Sequence, residues 1–259
     1  NSQANTEVAV VEGINVYLIQ VGSFDNDQKI KDVKSKLEEN KIPNSTVEID
    51  KVNKLQAYVS FKESDIRNKL ESTKQIFNDA FLTKLEIPVL SLEYTDEYSY
   101  IKSISDNLNS LLESYEKESN YINENRDNLD STKYKAILSE REDIIDKLEN
   151  EVNKIDYNEL EYFKTNLLSY TSQIRNNISN YGDTIDTSNE YKYESLLISS
   201  IQEYYEFINK IKKGYEGNKI LVLAIVFWCI LGVSMYFAYR FEWNDSIHLP
   251  HKVEVVGNE

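Results

Sequence analysis

Hydrophobic and polar positions follow two different periods along this chain, and the change of period divides it. From Val16 to Gly22 the run VYLIQVG, rich in β-branched and aromatic residues, predicts a strand. Gly22-Ser23 ends it, and Asp25 or Asn26 supplies an N-cap for a helix in which Ile30, Val33 and Leu37 share one face. Asn40–Asn44, with Pro43, reads as a loop, and Thr46–Ile49 and Leu55–Phe61 read as strands around a tight Lys51–Lys54 turn. Ser64 or Asp65 opens a second helix with Ile66, Leu70, Ile76 or Phe77, and Ala80 inward. Leu85–Leu92 supplies a last strand, in which Pro88 marks an edge or a bulge. The predicted order βαββαβ is the split βαβ arrangement, one sheet with both helices on one face.

Beyond Asp96 the period becomes helical. Four apolar sets step by threes and fours: Ile101 to Ile122, Tyr134 to Ile155, Leu160 to Tyr181, and Tyr193 to Ile211. Breaks fall at Asn125–Ser131, near Asp156–Asn158 and at Gly182–Asn189, each rich in Asp, Asn or Ser. Helices with one apolar stripe must cover it, so an antiparallel bundle or coiled coil is expected. A third pattern follows: Ile220–Ala238 carries no charge, and at about 1.5 Å per residue it is long enough to cross most of a bilayer core. The expected fold class is therefore α+β: a βαββαβ domain, an all-α bundle and one transmembrane helix. Its segments are a linker at 1–13, the α+β domain at 14–93, the bundle at 95–213, the membrane helix at 220–239 and a polar juxtamembrane linker at 240–259.

Composition narrows the function. With 44 acidic against 29 basic side chains the net charge is −15, which disfavours nucleic acid as a partner. One cysteine, two histidines and seven glycines leave no material for a Cys-rich zinc site or a phosphate-cradling loop, so no cofactor or metal is expected. His248 and His251 are too few for a closed zinc site. Acid runs such as Glu140/Glu142/Asp143 read as the solvated face of a helix, and no nucleophile–base pattern accompanies them. The chain is thus expected not to be an enzyme.

One motif carries a family resemblance. Gln20-Val21-Gly22-Ser23-Phe24, closing a strand and followed by a polar helix, resembles the opening of the sporulation-related repeat (SPOR) domain, which binds peptidoglycan. The resemblance covers residues 14–93. Its second half-repeat is degenerate, because Tyr58-Val59-Ser60-Phe61 lacks the glycine expected there. Strand parity places Tyr17, Ile19 and Val21 under the helices and Gln20 on the opposite, open face, with Gln56 and Tyr58 sharing a parity on a later strand. The resemblance implies glycan binding by Gln20, Ser23, Gln56 and Tyr58. It also implies a non-enzymatic, membrane-anchored envelope protein that localises to the septum or engulfing membrane in division or sporulation, with a protein partner possible at the bundle.

The flanking charges point the other way. Lys210, Lys212, Lys213 and Lys219 before the apolar run place residues 1–219 inside by the positive-inside rule, whereas a glycan binder belongs outside. A circular permutation, with the natural order starting near Lys212 or Lys213 and residues 241–259 running into 1–13, reconciles the two. The alternative is a tail-anchored coiled-coil adapter whose α+β domain binds protein. A cell-wall hydrolase would need an acid–base or zinc constellation that the sequence lacks.

Overall fold

A computed structural model describes residues 6–126, 128–182 and 190–217 of the chain. Six strands and six α-helices are present among these residues: β1 (Thr6–Val11), β2 (Ile14–Phe24), α1 (Asp27–Glu39), β3 (Asn44–Ile49), β4 (Val52–Ser60), α2 (Glu63–Lys74), β5 (Phe81–Ile87), β6 (Leu90–Thr95), α3 (Tyr100–Asn125), α4 (Ser131–Val152), α5 (Glu161–Gly182) and α6 (Tyr191–Gly217). The described residues as far as Gly214 form one compact unit.

β2–α1–β3–β4–α2–β5 build a four-stranded antiparallel sheet in the order β3-β4-β2-β5. That order is the expected split βαβ topology. Asn26 caps α1, its Oδ1 accepting from the Gln28 and Lys29 amides at 2.8 and 3.3 Å. Ile19 and Val21 of β2 pack with Leu37, Leu55, Ala57 and Ile66 beneath α1 and α2, and Tyr17 joins them.

Local features depart from the expected boundaries. The hairpin turn is Asp50-Lys51, shorter than the Lys51–Lys54 turn expected, and both residues take left-handed φ values of 54° and 64°. Two positive φ angles are the mark of a type I′ turn, whose twist matches the flanking strands. The single strand expected over Leu85–Leu92 is broken at Pro88 into β5 and β6, and residues expected as a linker supply β1, which pairs antiparallel with β6. Gly13 joins the two ribbons: a Cβ there would lie 2.8 Å from both Ile87 O and Val89 N, so only glycine lets the chains pass. Val11 and Ala9 turn inward, and Asn109 of α3 clasps the β1 main chain, donating to Val10 O at 2.9 Å and accepting from Glu12 N at 2.8 Å.

The four long helices bury the residues that the periodicity marks, including Ile104, Leu108, Leu148, Leu167, Ile174, Leu197 and Ile208. Tyrosines fill much of this core. Tyr115 and Tyr170 hydroxyls meet at 2.9 Å, and the Tyr170 ring stacks on Phe207 with centroids 4.8 Å apart. Between α3 and α4 lies a buried ion pair, Arg141 with Glu118 at 2.6 Å. Tyr134 donates to the same carboxylate at 2.6 Å, and the Arg141 guanidinium sits 4.4 Å from the Tyr115 ring centre.

Among the described residues no helix is long and apolar enough to cross a membrane. The membrane helix expected over 220–239 and the single-pass placement built on it are corrected accordingly: the structure supports an α+β body with six helices and two small sheets, and the 220–239 and 240–259 segments lie outside the described residues.

Candidate functional site

The face of the sheet expected to be open is covered. Val16, Leu18 and Val59 are completely buried there, and α3 and α6 reach it with side chains that bond strand atoms. Gln56 is 1 % exposed, its Oε1 accepting from Gln202 Nε2 of α6 at 2.8 Å. Gln20 is also buried and donates to Ser23 Oγ at 2.9 Å, leaving only Ser23 of the strand end in solvent. Ser195 of α6 accepts from the Asn44 amide at 2.9 Å.

Tyr58 is displaced by a bulge. Leu18 pairs with Val59 and Ile19 with Ala57, so Tyr58 is the extra residue, held at φ 51°. The bulge breaks the parity that linked Tyr58 to Gln56: the Tyr58 ring packs with the α1–α2 core, and Val59 takes the place on the Gln56 side. The Arg126 Cζ and Lys69 Nζ atoms stand 5.2 and 5.8 Å from its ring centre. Burial pushes the Tyr58 hydroxyl pKa up, the Glu194 charge adds to the rise, and Arg126 opposes it. β3 begins opposite Ala57, so β4 runs past it from Tyr58 onward. Helix side chains serve Val59 in place of a strand. Its N–H donates to Glu194 Oε1 at 3.0 Å, and its carbonyl accepts from Asn123 Nδ2 at 3.3 Å. Arg126 clamps Glu194 through both guanidinium nitrogens.

Gln20, Gln56 and Tyr58 are therefore not an exposed row for a sugar strand. The expectation of an open glycan face is corrected, because the helices expected to form a separate bundle pack against it. Sequence reasoning passed over a signal here. Val16 to Val21 is apolar at both parities apart from Gln20, the mark of a strand buried on two faces rather than one.

An accessible cleft of about 470 Å³ lies between the β3–β4 turn, the start of α5 and the end of α6. Glu48, Ile49 and Asp50 line it from the hairpin, Tyr162 from α5, and Tyr205, Glu206, Asn209, Lys210 and Lys213 from α6. Gly214 lets Tyr162 lie against α6, since a Cβ there would be 2.6 Å from the Tyr162 Cε1 atom. Burial pushes the Glu206 carboxyl up, and the like charges of Glu203 and Glu48 add to the rise. Burial also raises the Tyr205 hydroxyl, with Asp50, Glu86 and Glu206 contributing. No histidine or cysteine occurs in residues 1–217, so the cleft offers carboxylates, ammonium groups, an amide and two phenols, a set suited to binding. None of these residues was singled out as a site from the sequence, because the hairpin and α6 are brought together only by the docking of the helices on the sheet.

The chain matches no family model, no curated protein and no solved structure. The SPOR resemblance thus gains no support, and the peptidoglycan, sporulation, cell-division and envelope roles drawn from it are set aside along with the open face and the membrane span.

Proposed function

We propose that this chain is a non-enzymatic interaction protein that engages a protein partner, with its α+β part and its helices working as one body. The observation that supports this reading is the docking of α3 and α6 across the sheet through Gln202, Glu194 and Ser195. The chain's own helices fill the surface that an extended sugar strand would need. This cleft is lined by Ile49, Tyr162 and Tyr205 together with side chains of both charge signs. A peptide segment presenting charge beside an aliphatic side chain complements that mixture, and buried aromatic anchors carry much of the energy in such contacts.

The test uses the full chain against a panel of peptides that combine Lys or Arg, Asp or Glu, and Leu, with purified peptidoglycan in parallel. Peptide binding that Tyr205→Ala weakens by about tenfold is expected. Retention on peptidoglycan without any peptide binding overturns the proposal.

A further inference from the structure

We infer that the free edge of β5 is a homodimer interface, in which two copies of this chain pair β5 with β5 about a two-fold axis through Leu85. Among the described residues β5 has a strand neighbour on one side only, β2, so its other edge presents main-chain groups that no described strand pairs. Such edges are usually blunted by charge, and β5 carries two charged residues, Lys84 and Glu86, both exposed and paired with each other in the single chain, a surface pair that cross-strand pairing would exchange for two intermolecular ones. Here the two charges have opposite sign and stand one residue either side of Leu85. Antiparallel pairing centred on Leu85 therefore sets Lys84 opposite Glu86 of the second copy, and does so twice.

The same symmetry places the apolar residues. Phe81 and Val89 are 48 % and 50 % exposed, among the few large hydrophobic side chains left in solvent. They lie four residues before and four after Leu85, so each Phe81 comes near the other copy's Val89 just beyond the ends of the ladder. Their exposure is unexplained in the single chain and is relieved in the pair. Pro88 has no N–H and ends the ladder on each side. The pairing is isologous, so it uses both free β5 edges and closes at two copies. This inference does not rest on the peptide cleft, which is lined from the β3–β4 turn and α6, although the Glu86 charge reaches Tyr205 there.

Charge reversal tests it by sedimentation velocity on the full chain, from about 1 to 200 μM, the range suited to a small interface. Wild type is expected to form a concentration-dependent dimer. Lys84→Glu alone and Glu86→Lys alone each set like charges opposite one another, and each should weaken dimerisation by about tenfold to a hundredfold. Mixed in equal amounts, the two variants restore opposite charges at both pairs, and the heterodimer should form as tightly as the wild-type dimer. Because the mixture contains only the two single variants, its recovery cannot be attributed to a folding defect. A monomeric wild type overturns the inference, as does single-variant assembly equal to wild type or a mixture no tighter than its components.

Discussion

The amide of Val59, in β4, donates to Glu194 Oε1 of α6 across 3.0 Å, and this bond ties the sheet to the helices at the point where β3 has run out. Glu194 is 1 % exposed, and its carboxylate also holds Arg126 from the end of α3. One side chain thus satisfies a strand amide and neutralises a guanidinium. Glu194→Ala removes the acceptor of the Val59 amide and the carboxylate that Arg126 holds, and should cost about 2–4 kcal/mol in urea unfolding, whereas Glu194→Gln keeps an acceptor for Val59 and should cost less than half as much. Equal losses in the two variants would mean that the charge alone matters.

The legibility of this fold follows from which contacts are local. The βαββαβ order, the Asn26 cap and the inward parity of Tyr17, Ile19 and Val21 could all be read from short-range pattern, and so could the helix breaks at Asn125–Ser131 and near Asp156–Asn158, although α4 ends earlier, at Val152. The covering of the second face could not, because it depends on Gln202, Glu194 and Ser195 meeting strands more than 130 residues away in sequence. Gln20 shows the consequence. A lone amide among apolar neighbours reads as solvated, yet here it is buried with Ser23 as its acceptor. The bulge at Tyr58 was equally hidden, since no glycine announces its positive φ.

The β3–β4 turn carries strain that substitution can remove. Asp50 and Lys51 both occupy the left-handed region, which costs a residue with a Cβ roughly 1 kcal/mol. Lys51→Gly should stabilise the chain by about 0.5–1 kcal/mol, visible as a higher urea midpoint at unchanged slope. A loss of stability would show that the Lys51 side chain makes a contribution larger than its strain.

The buried Arg141–Glu118 pair separates two contributions to stability. Removing one partner strands the other charge: Arg141→Met should cost about 3–5 kcal/mol, because Glu118 is then buried beside Tyr134 without its cation. Replacing both, as Arg141→Met with Glu118→Leu, removes the desolvation cost together with the attraction. The double variant should recover most of the loss. A double variant as unstable as the single one would assign the cost to packing around Tyr115 and Ser114, which also contact Arg141.

Four tyrosines in the helical core, Tyr115, Tyr134, Tyr170 and Tyr204, are at most 2 % exposed, and burial above all pushes each hydroxyl pKa up. The unfolded chain releases these protons near pH 10, whereas the folded chain holds them to higher pH. Stability contributed by these groups is therefore intact below about pH 10 and falls as pH rises through the folded values, by about 1.4 kcal/mol per pH unit for each tyrosine, or roughly 5 for the four. Urea unfolding at pH 8, 10 and 11, with tyrosinate absorbance followed in parallel, checks this: the four should ionise only on unfolding. Tyr204 gives the control, since its hydroxyl is buried without a hydrogen-bond partner among the described residues. Tyr204→Phe should leave neutral-pH stability unchanged or raise it by about 1–2 kcal/mol, and should make the alkaline decline shallower by one tyrosine's share. An alkaline slope that Tyr204→Phe does not alter would place its hydroxyl in contact with solvent.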